Sequence, residues 1–502
     1  MKKKFSTSAT KTELAKKGFS YKWRALSCTS IGGFFSLASA NTITIALKDI
    51  IKDLNVSIGL VTWIVMVYMF VVTISVPMFA KISDTYGRKK LFESGLLLFA
   101  CGSLFAGFSF SGYQIILARV VQSFGTALIL ANSVPIIADS FPENEIGKAL
   151  GINSMMVNTS YVFAPILGGF LCGIGGWRAV FLGNVPIALL ALLWSVKQLK
   201  EQEFVVKEHI IDWKGSIFFT ISMFLFLLVI NLGGFIGWLS HLIIGLALLS
   251  IIFGLLFYQV EKKSSEPMID LSLIRNIRLL FAYLCIFLSS TSRGTITFLL
   301  VIYFQLVKNI DPVLIGLTFL PYCIAITFIA PISGSLSDKY GERGLSSAGL
   351  LIMAFGFIGL GMINLGTSTW LIVFWMFLIG IGFGMFNSPN TSSIMKIAPV
   401  DKRAVASGIR TMFLNSGSAI SIALCISIVS SFVSNENLKK LFVGMEISMQ
   451  EMSYGQFING LKTTFIIAFC LCIIAVLLSF SRKTSHSYEK RLSKKENITL
   501  KH

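Results

Sequence analysis

Charge is what this sequence has least of. Only 13% of its 502 residues are Asp, Glu, Lys or Arg, roughly half the share of an ordinary soluble chain. So few charges cannot cover a water-facing surface of this size, which excludes a soluble enzyme or binding protein. Metal and disulfide chemistry also lack their residues. The four histidines are scattered, and the eight cysteines (28, 101, 172, 285, 323, 425, 470, 472) mostly sit in apolar runs without a CxxC pair, as small packing residues do. No metal and no cofactor is expected. There is no GxxxxGK[ST] loop either: Gly147-Lys148 is followed by Ala149 and has no upstream glycine, which argues against a nucleotide-driven pump. No nucleophile–base constellation suggests an enzyme. The first 24 residues are basic and lack the early apolar region of a cleavable signal peptide.

What fills the sequence instead is apolar. Hydrophobic types make up 54%, Phe alone numbers 43, and the mean hydropathy is +0.77. A helix needs about 20 apolar residues to cross the hydrocarbon core. Such segments fall at 25–47, 60–80, 91–110, 113–137, 149–173, 179–196, 215–235, 239–258, 279–304, 313–334, 345–364, 369–391, 404–432 and 463–481. That makes fourteen crossings, with both termini on one side. Placing the termini in the cytoplasm puts about 33 Lys/Arg on inner segments and about 7 outside, the asymmetry that the positive-inside rule requires. The net charge of +19 is therefore topological, and no nucleic acid partner is expected.

Organisation follows from the charged connections and from a repeat. The charged stretches 197–214 and 259–278 flank the seventh and eighth segments. SDTYG at 83–87 recurs as SDKYG at 337–341, each after the second helix of a six-helix group. Weaker parallels join Asn132-Ser133 to Asn387-Ser388 and Gly151-Ile152 to Gly408-Ile409. The chain divides into a basic cytoplasmic N-terminus (1–24), a six-helix half (25–196), a linker with two inserted helices (197–258), a cytoplasmic loop (259–278), a second six-helix half (279–481) and a cytoplasmic tail (482–502). Parallel repeats of this kind build alternating-access transporters.

The motifs carry chemistry of their own. In AKISDTYGRKKLF at 80–92, Asp84 sits at a helix end where a carboxylate accepts backbone N–H bonds, Gly87 permits a tight turn, and Arg88 is placed to pair with an acid. Asp338 and Gly341 repeat the pattern. In ARVVQSFG at 118–125, Arg119 lies near mid-membrane, where a charge costs at least about 2.5–3.5 kcal/mol and must face water or a partner. In APILGG at 164–169, Pro165 removes a backbone hydrogen bond and bends the helix, while Gly168 and Gly169 allow a close helix approach.

These motifs resemble those of the major facilitator superfamily, specifically its fourteen-helix drug:proton antiporter branch. The first is similar to GxLxDxxGRKxxx with Ala80 for the leading glycine, the second to RxxQGxG with Ser123 for a glycine, the third to GPxxGG with Ala164 for a glycine. WRAVFLGNVP at 177–186, with Trp63, Tyr68 and Pro77, adds to the likeness, which covers nearly all of 25–481. The resemblance implies an all-α membrane fold of two six-helix halves plus a two-helix insert. It implies a conformational latch at Asp84, Gly87, Arg88, Asp338 and Gly341, and a coupling or substrate cavity around Arg119, Gln122, Asn41, Asn132 and Arg293. It also implies an antiporter-like kink at Pro165, Gly168 and Gly169.

One departure bears on mechanism. Many antiporters of this branch carry an aspartate early in the first helix, and by this register that position is Ser39. A proton antiporter needs a carboxylate that titrates inside the membrane, yet no Asp or Glu falls at the middle of a segment. Asp49, Asp53 and Asp311 lie at outer ends, and Asp84, Asp139 and Asp338 at inner ends. The mid-membrane charges are Arg119, Arg293 and Arg410. The leading expectation is a monomeric secondary exporter of drugs or other amphipathic compounds in the cell membrane, exchanging them for protons. The alternative is an exporter or facilitator of an endogenous, anionic metabolite without proton coupling. A non-transporting sensor is a remote third, since the tail from Arg482 offers no signalling domain.

Overall fold

A long apolar segment in lipid must satisfy every backbone N–H and C=O internally, and the helix does this within one chain element. The computed structural model describes residues 7–56, 58–200, 212–264, 267–308, 310, 312–430 and 454–482, and among these it consists of helices and short turns with no strand. Asp311, the stretch 201–211 and the tail beyond Arg482 lie outside the described residues. The N-terminal group comprises α1 (Thr7–Leu54), α2 (Ile58–Tyr86), α3 (Arg88–Gly107), α4 (Gly112–Ser140), α5 (Ile146–Leu182) and α6 (Asn184–Gln198). Next come α7 (Trp213–Ile236), α8 (His241–Lys263) and the short α9 (Leu271–Arg275). The C-terminal group comprises α10 (Ile277–Leu306), α11 (Pro312–Tyr340), α12 (Glu342–Gly361), α13 (Thr369–Ile397), α14 (Arg403–Ser430) and α15 (Tyr454–Ser481).

Among the described residues, eleven helices are long and apolar enough to cross a membrane, and α5 with α6, bent by 45° between them, makes a twelfth if taken as one span. The chain is a multi-pass membrane protein. α1 is rich in small polar residues. Between Ala25 and Ile43 it carries Ser27, Thr29, Ser30, Ser36, Ser39, Asn41 and Thr42. It sits inside the bundle against α4, α5 and α6 rather than facing lipid, so these hydroxyls bond to neighbours or to their own helix, as Ser30 Oγ does to Asn153 Oδ1 at 3.1 Å.

Each group has its own core. Ile296, Tyr303, Phe304, Phe357, Phe386, Phe457 and Phe465 belong to one cluster drawn wholly from α10–α15 and the turns between them. Phe92, Phe99 and Ile129 anchor another within α1–α6. A third cluster crosses between the groups, joining Ile137, Ile146 and Leu150 to Ile394, Val405 and Ile409. All six of these lie toward one end of the bundle, the end that carries Asp84 and Asp338, called here the charged end. Lys22 pairs with Glu145 and Ser347 Oγ bonds Ser479 Oγ at 2.8 Å, so α1 and α15 both reach this end.

Two helix pairs make the seam. α5 crosses α11, and their backbones meet at glycine: a Cβ on Gly334 would lie 2.0 Å from the Gly147 carbonyl oxygen, and one on Gly151 2.5 Å from that of Ala330. α2 meets α14 where a Cβ on Gly408 would stand 2.9 Å from the Ala80 Cβ. Toward the far end, a Cβ on Gly169 or Gly173 of α5, or on Gly316 of α11, would meet nothing within 4 Å. The close backbone approach of α5 to α11 occurs at Gly147 and Gly151. α5 stays helical through Pro165 and breaks at Gly175 (φ −146°, ψ 25°) and Gly176 (φ 63°, ψ −164°), a backbone that essentially only glycine adopts.

α7 and α8 pack on each other at the flank of the seam. α7 touches both α2 and α14, with Leu227 against Phe70 and Ile74. Trp238 at the turn between them donates to Ser427 Oγ at 2.5 Å.

Candidate functional site

The charged end is sealed by two equivalent clasps. Ser83-Asp84 ends α2, and Gly87, at φ 100°, turns the chain into α3. That turn aims Asp84 across the seam at the first turn of α14, where Oδ2 accepts from the Val405 N–H at 3.2 Å. Asp338 at the end of α11 does the same to α5, accepting from Gly147 N–H at 3.0 Å and Lys148 N–H at 2.9 Å. Gly341, at φ 88°, makes the matching turn. Each carboxylate meets the unsatisfied N–H groups and positive dipole end of a helix from the other group.

The side chains behind the two caps have exchanged charge. Arg88, the first residue of α3, bonds Asp84 Oδ1 through Nη2 at 2.8 Å and pairs with Asp139, the penultimate residue of α4. Glu342, the first residue of α12, pairs at 2.8 Å with Lys396, the penultimate residue of α13, which also reaches Asp338 at 3.1 Å. At equivalent positions one clasp reads basic then acidic, and the other acidic then basic. The first clasp extends further across the seam. Arg403 Nη1 bonds Asp139 Oδ1 at 2.8 Å and Arg88 Nη2 bonds the Val400 carbonyl at 2.9 Å, while Arg403 Nε is held within its own group by the Met395 carbonyl at 3.0 Å. Arg88 and Arg403 are both buried, at 3% and 7% exposure, so these bonds form away from bulk water, where charge-assisted bonds gain strength. Sequence reasoning placed Asp139 at an inner end and left Arg403, Glu342 and Lys396 unassigned. The signal available was the matching penultimate position of Asp139 and Lys396.

Arg119 is fully buried in α4. Its Nη1 donates to Gln122 Oε1 at 2.8 Å, and its guanidinium lies 4.2 Å above the Tyr68 ring. Gln122 Nε2 in turn donates to Ser103 Oγ at 2.7 Å and to Ser39 Oγ at 3.1 Å, and Asn184 Nδ2 donates to that same Ser39 oxygen at 3.1 Å. Tyr68 Oη is held by the Ser36 carbonyl and Thr126 Oγ1, both at 2.7 Å. The position where an antiporter aspartate is expected is therefore a hydroxyl inside a neutral network, and Arg119 Nη2 has no hydrogen-bond partner.

The other expected cavity residues do not all gather there. Asn132 lies a long way down α4, its Oδ1 accepting from Ser83 next to the Asp84 clasp. Asn41 is half-buried on α1, donating to its own helix at the Leu37 carbonyl. Arg293 stands on α10 in the other group, 4.6 Å over the Phe383 ring. At the far end, Asp53 Oδ2 accepts from Trp177 Nε1 at 2.9 Å and from Arg178 Nη1 at 2.5 Å. These bonds, the indole one first, hold the Asp53 carboxyl below the usual aspartate range.

Two helix groups joined at one end, with repeated loops making reciprocal caps, are the architecture of one transporter family, and the sequence profile of the Major Facilitator Superfamily matches residues 29–422. The chain belongs to the Major Facilitator Superfamily. It is a membrane transporter and not an enzyme. The chain is 29% identical over 472 residues to the riboflavin transporter RibZ of Clostridioides difficile strain 630, a match covering 93% of this chain and 99% of that one. It is 28% identical over 417 residues to multidrug resistance protein 3 of Bacillus subtilis strain 168, covering 82% and 81% of the two chains. In fold it is similar to the proton:xylose symporter XylE, with a TM-score of 0.65 at 15% identity, over 93% of this facilitator chain and 97% of that one.

Proposed function

We propose that this facilitator is a secondary exporter of small amphipathic organic compounds in the cell membrane, with fourteen crossings and both termini cytoplasmic. Its six-helix halves, 25–196 and 279–481, rock about the seam, and α7 and α8 form an insert on its flank. The observation that carries the reading is the asymmetry along α5–α11. Backbones touch at Gly147 and Gly334, and nothing lies within reach of Gly169, Gly173 or Gly316. Such a shape is closed at the charged, cytoplasmic end and open outward. Asp84, Gly87, Arg88, Asp338 and Gly341 then act as the latch of this outward-facing state, and release of both caps admits substrate from the cytoplasm. Relatives named for multidrug resistance support a compound of this class. Pro165, Gly168 and Gly169 sit in the outer part of α5 that must close when the cycle turns over.

A second reading, transport of an endogenous and anionic metabolite without proton coupling, is favoured by Arg119. Its partners are Gln122, the Ile64 carbonyl and the Tyr68 ring, and Ser39 occupies the place where a titrating aspartate is expected. The relative named as a riboflavin transporter, which spans nearly the whole chain, fits this reading.

The test is transport by the purified chain in proteoliposomes, using panels of cationic drugs and organic anions with and without an imposed pH gradient. Gradient-driven movement of the drugs supports proton-coupled export. Movement of anions that ignores the gradient supports the second reading, and no movement of any compound refutes both.

A further inference from the structure

The two-helix insert carries a pair of acids at the charged end, outside both clasps and the Arg119 network. Asp212 caps α7, its Oδ1 accepting from the Gly215 N–H at 2.8 Å. Glu261, in the last turn of α8, is only 2% exposed, and its Oε1 accepts from the Ile269 N–H. The second oxygens of the two acids line one notch. A Cβ on Gly215 would stand 2.8 Å from Asp212 Oδ2 and 2.9 Å from Glu261 Oε2. Among the described residues neither of these buried oxygens has a hydrogen-bond partner.

The charges that act on Glu261 include Asp212 from α7 and Lys81 from α2, in opposite senses. Lys214 of α7 and Lys262 and Lys263 of α8 are exposed to solvent, and Asp270 in the following connection is paired with Lys402. Two carboxylates at such close quarters, one of them shielded from water, do not both stay ionised at low cost. A single proton on Glu261 Oε2 neutralises one acid and gives the other a donor, in a charge-assisted bond of the strong kind. Glu261 Oε1 then remains in place for Ile269. We propose that Asp212 and Glu261 form a proton-binding site, in which one proton taken from the cytoplasm bridges α7 to α8.

The site bears on the seam through Ile269. With Met268 and Leu273, each at most 3% exposed, this residue belongs to the cluster that joins the two helix groups at the charged end. The protonated pair holds residues 267–276 in that cluster. Loss of the proton leaves two carboxylates that repel each other, and Glu261 moves off Ile269. Acidification of the cytoplasm thus tightens the seal and alkalinisation loosens it. Proton binding is independent of any substrate, whereas its effect on export rests on the transport reading above.

The test is infrared pH-difference spectroscopy and hydrogen exchange on the purified full chain in nanodiscs, with no substrate present. Between about pH 5 and 8, a carboxylic acid C=O band should disappear as pH rises, and Glu261→Gln should lack it throughout. Asp212→Asn keeps the acid and removes the like charge, so it should retain the band with a midpoint lower by about one unit, a tenfold loss of proton affinity. Glu261→Gln imitates the protonated form, since its amide can donate to Asp212 and accept from Ile269 at any pH. Above the wild-type midpoint the amides of 267–276 should therefore exchange about tenfold faster in the wild type than in Glu261→Gln, and below it the two should match. Monodisperse elution shows that each variant is folded. A band that survives Glu261→Gln, or a midpoint unmoved by Asp212→Asn, overturns the site. Equal exchange in the wild type and Glu261→Gln at every pH overturns its link to the seal. Proton binding by the pair in a chain that moves no compound in proteoliposomes would support the site while refuting the transport reading.

Discussion

Replacing Asp84 and Asp338 by asparagine weakens the seal between the halves and leaves each half intact. The bonds from Asp84 to Arg88 and from Asp338 to Lys396 lie within one half, so they persist in either conformation and cancel. Arg88 also keeps Asp139, and Lys396 keeps Glu342. What is lost across the seam is the charge on the two caps over Val405 and over Gly147 and Lys148. A hydrogen bond to a charged acceptor contributes about 1.5–3 kcal/mol against about 1 for a neutral one. A carboxylate at a helix N-terminus adds about 0.3–1 kcal/mol. Each asparagine therefore removes about 1.5 kcal/mol from the closed end, close to a factor of ten in population. The two caps sit on separate helix pairs with no shared partner, so their effects should add. An outward:inward ratio of about 99:1 would pass to about 9:1 in either single variant and to about 1:1 in the double. Spin labels at Tyr86 and Tyr340, which are 58% and 78% exposed at the ends of α2 and α11, report this directly once the eight native cysteines are replaced. The double variant should show a second, longer distance between them. If its distribution matches that of the unmutated chain, the caps do not hold the seal and the reasoning fails.

Gly334→Ala forces a methyl into the Gly147 carbonyl, 2.0 Å from the ideal Cβ. Overpacking of this kind costs about 1–3 kcal/mol, so the same label pair should lengthen and transport should slow, whereas Gly169→Ala, with open space around it, should leave the pair unchanged. Asp53→Asn tests whether the carboxylate held by Trp177 and Arg178 carries a coupling proton. The Trp177 and Arg178 bonds lower the Asp53 carboxyl below its ordinary value near 3.8, so its stabilising contribution is complete above that value and is lost only as pH falls through the lower folded one. Transport between about pH 5.5 and 8 should keep the same pH profile in Asp53→Asn, and a profile that flattens would assign Asp53 the proton. Ser39→Asp places a carboxylate beside Gln122 and within the Arg119 network. It should make transport respond to an imposed pH gradient, measured in proteoliposomes, and an unaltered response would detach that network from coupling.

The parts of the site that depend on local chain chemistry were readable from sequence. SDTYG and SDKYG announce a helix-ending aspartate and a glycine turn, and both glycines take the positive φ that such turns require. Which helix each aspartate caps was not readable, because Val405 lies 321 residues from Asp84 and only packing brings it there. Arg403 escaped notice for the same reason. The α5 motif shows a different limit. Beyond its proline, α5 has a break that no motif announced, at Gly175 and Gly176, where the positive φ of Gly176 requires glycine. Asn132 has the composition of a cavity residue and serves Ser83, since polar type alone does not tell which face of a buried helix it will occupy.

The exchanged charges of the two clasps bear on how a duplicated chain avoids pairing a half with its own likeness. Were the first half to dock on a second copy of itself, Asp84 would still find a helix start, the Gly147–Lys148 turn of α5. Asp139 would then face Ile146, the first residue of α5, where the true partner α14 begins with Arg403. A buried carboxylate would lose its cross-seam arginine and keep only Arg88 of its own half, a loss of about 1.5–3 kcal/mol for one charge-assisted bond. The unlike clasps would thus favour docking of each half on the other over docking on its own likeness.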